Sequence, residues 1–324
     1  MPHDKHWPAL PYDEWRDTCT TLHLWSQVVG KIRLATTPWL NHGWQVALYV
    51  DATGLTTSPM PCDGANFELR FDFVDQMLKC HTNDGRRRSI PLAPQTVAQF
   101  KAATIGMLAD LGITVAIRDL PCEIAGATPF SRDHAPRVYD GDAARRFHGV
   151  LSEVDRVFKQ FRTGFLGKAS PVHFFWGSFD LAVTRFSGRR APLFEGTAPG
   201  LAPIVMQEAY SHEVSSAGFW PGGAGTDASF YSYAYPEPPG FMDASVAPEG
   251  ARYSDTMREF LLPYEAVRTA SDPDAVLLAF LQSTYEAAAN AAHWDRAVLE
   301  CALGRAGVCR SEPRGSEPSV DNRP

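Results

Sequence analysis

Two stretches of the chain set ionisable side chains among apolar ones. GKASPVHFFWGSFDLAVTRFSGRRAP, residues 167–192, carries His173, Asp180, Arg185 and Arg189 between aromatic residues. Read as strands, His173 shares a face with Phe175, and Trp176 falls on the opposite face. Asp180 falls with Ala182 and Thr184. A carboxylate in so apolar a strand is costly unless paired or solvated. Asp180 is therefore a site carboxylate or half of a structural ion pair with an Arg. The second stretch, EAYSHEVSSAGFWPGG at 208–223, offers His212 and Glu213. Strand alternation puts Tyr210, His212 and Val214 on one face and Glu213 on the other, so a regular strand delivers only one of the pair to a given pocket. Phe219-Trp220-Pro221-Gly222-Gly223 reads as an aromatic lid or, alternatively, as a buried aromatic corner.

These residue types point to acid–base chemistry, metal ligation or anion recognition. His173, Asp180, His212 and Glu213 are the candidate catalytic residues. Arg185, Arg189, Tyr210, Trp176, Phe219, Trp220 and Tyr233 are the candidate substrate contacts. Tyr231, Tyr233 and Tyr235 line one face of a short strand, either to stack a planar ligand or to pack beneath a helix. His23, His42, His173 and His212 are candidate ligands of a divalent metal ion, completed by Asp180 or Glu213. No HExxH, HxH or Hx(3–5)H spacing supports that centre, so the fold alone would have to assemble it. A lone His on a helix flank or in a loop is more often satisfied by a single hydrogen bond. The expected site has residues 167–190 beside 208–223. His173, Asp180, Arg185 and His212 would then meet in one pocket roofed by Phe219 and Trp220, with His42 and His23 offered from across.

The elements that would position these groups read as α+β with mainly antiparallel sheets. Residues 12–34 have a helical apolar stripe through Trp15, Cys19, Leu22 and Val29. GWQVALYVDATG alternates as a strand from Trp44 to Val50. Phe67, Leu69, Phe71 and Phe73 alternate with charged residues in a half-buried strand. Residues 77–82 and 87–92 pair across Asn83-Asp84-Gly85, a hairpin signal. A helix at 95–111 ends at Gly112, before a strand at 113–118. Further on come a helix at 141–165, strands at 171–176, 179–186, 209–217, 229–235 and 259–263, and helices at 273–290 and 293–303. The order divides the chain into an N-terminal half (1–135), a C-terminal half carrying the main site (136–303) and a disordered tail (304–324). Each half runs helix, Gly-Lys, strands, then a Pro-led helix. That order is either an internal duplication or two unrelated runs of common elements.

Thirty basic residues against 37 acidic ones give a net charge of −7 over 324 residues. Nucleic acid and anionic membrane are poor partners for such a field. No apolar run approaches the roughly 18–20 residues of a membrane helix, and the opening MPHDKHWPALPYDEW does not read as a signal peptide. Six scattered cysteines without a CxxC pair read as reduced and cytoplasmic. No P-loop, Rossmann fingerprint or GxSxG elbow is present.

SPVHFFWGSFDLAVTRFSGRRAP, YSHEVSSAGFWPGG, FYSYAYPEP, the opening WPALPYDEW and the closing FLLPYEAVRTASDPDAVLLAFLQSTYEAA together resemble a bacterial family, frequent in actinobacteria, known as a domain of unknown function. The resemblance spans nearly all of residues 7–300. It implies a bacterial, cytoplasmic protein and carries no activity, cofactor or catalytic residue with it. The expected function is a cytoplasmic enzyme acting on a small polar or aromatic metabolite, metal-assisted in one form. The alternative is a non-catalytic small-molecule-binding protein with an aromatic pocket and an Arg clamp.

Overall fold

The computed structural model describes residues 7–310 apart from Asp63 and Ala224. The expected tail beyond 310 lies outside them. The chain opens with helix α1 (Tyr12–Thr36), a 3-10 turn (Asn41–Val46) and strands β1 (Tyr49–Val50), β2 (Gly54–Thr56), β3 (Met60–Cys62), β4 (Ala65–Asp72), β5 (Met77–Thr82) and β6 (Arg87–Pro91). Helices α2 (Val97–Ala109) and α3 (Gly141–Arg162) lead to β7 (His173–Phe175), β8 (Asp180–Arg190), α4 (Pro203–Ala209), β9 (His212–Trp220) and β10 (Ser229–Tyr235). The last elements are β11 (Arg252–Ser254), β12 (Glu259–Pro263), α5 (Tyr264–Arg268), α6 (Pro273–Ala291) and α7 (Arg296–Leu299). No described helix is long and apolar enough to cross a membrane.

The strands form two antiparallel sheets of six, the expected α+β class. The first runs β1-β2-β4-β5-β6, with β3 also on β4; the second runs β11-β12-β10-β9-β8-β7. They meet where Leu48 and Phe174 exchange backbone hydrogen bonds of 2.9 and 2.7 Å. Alternation in β4 works as read: Phe67, Leu69, Phe71 and Phe73 are all buried. The 83–85 hairpin forms, with Gly85 at φ 92°. α1 is buried around almost its whole circumference, as a helix in the middle of a large core must be. α3 is amphipathic and capped by Asp140, whose carboxylate accepts from the amides of Asp142 and Ala143. Its apolar side, with α5 and α6, covers one face of the second sheet.

Of the expected strands, the one at 44–50 is cut to its last residues, 48–50, and the one at 113–118 is absent. Residues 44–46 belong to a 3-10 turn, because His42 and Gly43 take left-handed φ values of 59° and 70° and break the extended run. Residues 113–118 stay irregular: the Ile113 amide returns to the Leu108 carbonyl at 2.9 Å behind a left-handed Gly112. Helix α4 replaces the expected start of a strand at 209, so Tyr210 caps that helix and stands outside the β9 alternation.

Candidate functional site

The exposed face of the second sheet is the floor of a chamber of about 550 Å³. Every second residue of each strand points into it: Asp180, Ala182, Thr184 and Phe186 from β8, and Val214, Ser216 and Trp220 from β9. Tyr231 and Tyr233 come from β10, Glu259 and Leu261 from β12. The 3-10 turn and Trp39 form a wall, and α4 forms the roof through Val205, Met206 and Ala209. Glu208 fastens roof to wall, accepting from the Trp39 indole at 2.8 Å and the His42 amide at 3.3 Å.

Three carboxylates converge on this chamber. Asp180 follows a tight turn with Phe179 at φ 62° and accepts hydrogen bonds from the hydroxyls of Ser178 and Tyr231. Tyr231 reaches it across Gly218, its register partner, where a Cβ would stand 2.2 Å from the Tyr231 hydroxyl oxygen. Glu123 enters from the irregular loop after α2. It lies against Gly177, where a Cβ would come within 1.9 Å of Glu123 Oε1. Glu259 rises from the start of β12. Among the described residues no ion pair joins any of the three to a Lys or Arg, and no Lys or Arg lines the chamber.

Burial, and then the charge of Asp180, pushes both Glu123 and Glu259 up to about 7. Burial also raises Asp180, against the hydrogen bonds from Ser178 and Tyr231. Glu123 is itself exposed, opening on this chamber and on an adjoining one of about 500 Å³, and its desolvation comes from the walls of that cleft. Groups coupled in this way titrate as a set. A line of hydroxyls lies beside them: Thr184 meets Ser216 at 2.8 Å, and Tyr233 meets Tyr210 at 3.0 Å. Tyr231 and Tyr233 stack with centroids 6.1 Å apart.

His173, Asp180, Trp176, Tyr210, Trp220, Tyr233 and His42 all line the chamber. His173 is 1% exposed, and neither ring nitrogen has a partner in the protein. Burial first, and then the Arg162 charge, lowers its pKa to about 3, so the ring is neutral. Trp176 lies beyond the end of β7, which releases it from the alternation that would have set it opposite His173; its indole donates to the Val46 carbonyl at 2.8 Å.

Other expected site residues lie elsewhere. Arg185 falls on the reverse of β8, as parity from Asp180 requires. It is buried with its guanidinium 3.5 Å from the Phe161 ring centroid and donating to the Phe161 carbonyl at 2.6 Å. Burial lowers it to about 10. Phe219 is likewise on the reverse face, packed against Phe230 and Tyr264, and roofs nothing. Arg189 and Glu213 bond each other at 2.7 Å outside the chamber.

The four histidines do not assemble a metal centre. Among the described residues, no group of three or more His, Cys, Asp or Glu could hold a metal ion. His23 lies in the adjoining chamber, bonded to the Gly177 carbonyl at 2.8 Å and stacked on Phe179. His42 and His212 do approach, with ring centroids 5.8 Å apart. The ammonium of Lys168, however, donates to His42 Nε2 at 2.6 Å and fills the coordinating position with a cation. That bond leaves the proton on His42 Nδ1, which faces the Glu208 and Ala209 carbonyls.

Sequence reading missed Glu123 and Glu259. Glu259 had a signal: in its strand it shares a face with Leu261, the same acid-among-apolar cue that marked Asp180. Glu123 had none, because its position comes from an irregular loop with a left-handed φ of 60°. The strands that build the chamber floor, β7 to β10, are also those carrying the family-like strings. No curated protein and no solved structure matches the chain. A family model matches residues 7–301, and the chain belongs to that family, a family of unknown function (DUF5996).

Proposed function

We propose that the chain is an enzyme that binds a small, largely apolar or aromatic molecule in this chamber and moves a proton on it. Glu123, Asp180 and Glu259 are its acid–base set. The observation that carries the reading is the convergence of three carboxylates, none in an ion pair, on one aromatic-walled chamber. The volume of about 550 Å³ suits a metabolite-sized ligand. A carboxyl group held near neutrality can both give and take a proton there, and perturbed groups of this kind cluster at functional sites. Tyr231 orients Asp180, and the Thr184, Ser216, Tyr233 and Tyr210 hydroxyls offer polar contacts along the floor. A cytoplasmic setting is part of the proposal, supported by six unpaired cysteines.

The test is isotope exchange. Purified protein is incubated in D2O with pooled small metabolites, and mass spectrometry follows both deuterium uptake and conversion. The proposal expects a compound that gains deuterium or is converted, and loses that behaviour with Asp180→Asn and Glu259→Gln. A compound that binds in the chamber and is always recovered unchanged and undeuterated would make this a binding protein.

A further inference from the structure

We infer that the ligand of this chamber is an organic cation: an amine or quaternary ammonium on an apolar or aromatic body, with a second polar group at its far end. The inference rests on the chamber being a small-molecule site, and it specifies the charge of what binds there. When ionised, Asp180, Glu123 and Glu259 repel one another across a chamber that no described Lys or Arg lines; Lys31, 5.6 Å over the Trp176 ring, partly offsets Glu123 and leaves Asp180 and Glu259 unpaired. An anionic ligand would add to that repulsion, and a neutral one would leave it uncompensated. A bound metal ion is not the answer, since these carboxylates are not gathered closely enough to ligate one. An organic cation needs no ligating geometry, and its head compensates these carboxyls through charge alone. The walls suit it: Trp220, Tyr231 and Tyr233 line the chamber with aromatic rings, and cations bind aromatic faces favourably.

His173 is the independent second cue. Its ring lines the same chamber, it is buried, and both its nitrogens lack a protein partner. In the β7–β8 ladder His173 pairs with Ala182, two residues along from Asp180. That diagonal spans about 7–8 Å. The end torsion of a histidine is soft, so a turn of the ring presents either nitrogen. A neutral imidazole at that distance calls for a hydroxyl or similar group on the ligand, remote from the cationic head.

Four probes of similar size test this by calorimetry: phenethylammonium, 2-phenylethanol, phenylacetate and tyramine. Phenethylammonium is expected to bind at least about tenfold more tightly than 2-phenylethanol, and phenylacetate more weakly than either. Glu259→Gln should lower phenethylammonium affinity about tenfold and leave 2-phenylethanol unchanged. Tyramine, with its phenol hydroxyl, should bind more tightly than phenethylammonium, and His173→Phe should erase that difference. Phenylacetate binding as well as the cation overturns the inference. So does 2-phenylethanol matching phenethylammonium, and in that case the chamber still stands as a small-molecule site. Failure of all four probes to bind also overturns it, leaving the proton-transfer reading to the isotope experiment alone.

Discussion

Replacing His173 with Phe should stabilise the protein while removing a ligand contact. The imidazole is buried between Phe175, at a centroid distance of 4.4 Å, and Trp44, at 6.3 Å. A benzene ring keeps those contacts and has no polar atoms. An unsatisfied buried polar group costs about 1–3 kcal/mol, so the variant should gain about that much near pH 7, less any cost of its slightly larger ring. The gain should grow in acid. His173 titrates at about 3 when folded against 6.5 in its ordinary state. Its folded pKa is the lower one, so its contribution is complete above 6.5 and is lost as the pH falls toward 3. Over the 1.5 units from 6.5 to 5 the wild type loses about 2 kcal/mol through this residue, and the variant loses nothing through it. Contributions from the unchanged remainder of the chain are common to both proteins and cancel. Urea unfolding of both proteins at pH 7 and pH 5 measures the gap. A less stable variant, or a gap that does not widen on acidification, refutes the reasoning.

Gly218→Ala should cost about 2–5 kcal/mol by driving Tyr231 off Asp180 and crowding the sheet face. In a Tyr231→Ala background the same change should be nearly neutral, and equal costs in the two backgrounds would show that Tyr231 is not what the Cβ meets. Glu259→Gln should alter the pH dependence of stability. Glu259 holds its proton to about 7 folded against 4.5 ordinarily. Its stabilising contribution is therefore full below 4.5 and is lost as the pH rises through 7. Thermal denaturation should show the variant gaining on the wild type from pH 5 to pH 8. Trp39→Ala, which removes the indole bond to Glu208, should make the roof over the chamber more open to limited proteolysis near α4, with little change in global stability. Unchanged cleavage would mean that this clasp does not hold the roof.

Period-two alternation was the most informative part of the sequence. It placed the Phe67–Phe73 face in the core and marked Asp180 as an acid with Ala182 and Thr184 for neighbours. The same parity sends Arg185 and Phe219 to the reverse face, because an odd step from a chamber residue in a regular strand must turn inward. The expected pocket with Arg185 in it and Phe219 above it therefore ran against the alternation. Economy of burial brought the right strands together, but Arg185 donates instead to the Phe161 carbonyl and packs on three aromatic rings, with its buried Nε left without a partner. Its partners come from α3, the segment after it, and α6, and only the tertiary fold brings them to β8. The left-handed breaks at His42 and Glu123 fall on residue types that seldom take a positive φ, so neighbouring Gly43 and Pro121 mark a turn there without saying where it aims the side chains. For that reason the wall and the third carboxylate were not legible.

The account depends most on carboxyl groups that keep their protons near neutrality inside the chamber. Carbon-13 NMR of the Asp and Glu side chains, followed through a pH titration, reads this directly. The account predicts that Glu123 and Glu259 titrate near 7. In Asp180→Asn both should move down while burial still holds them above the ordinary carboxylate range. Ordinary titration of both residues in the wild type, near 4.5, would contradict it.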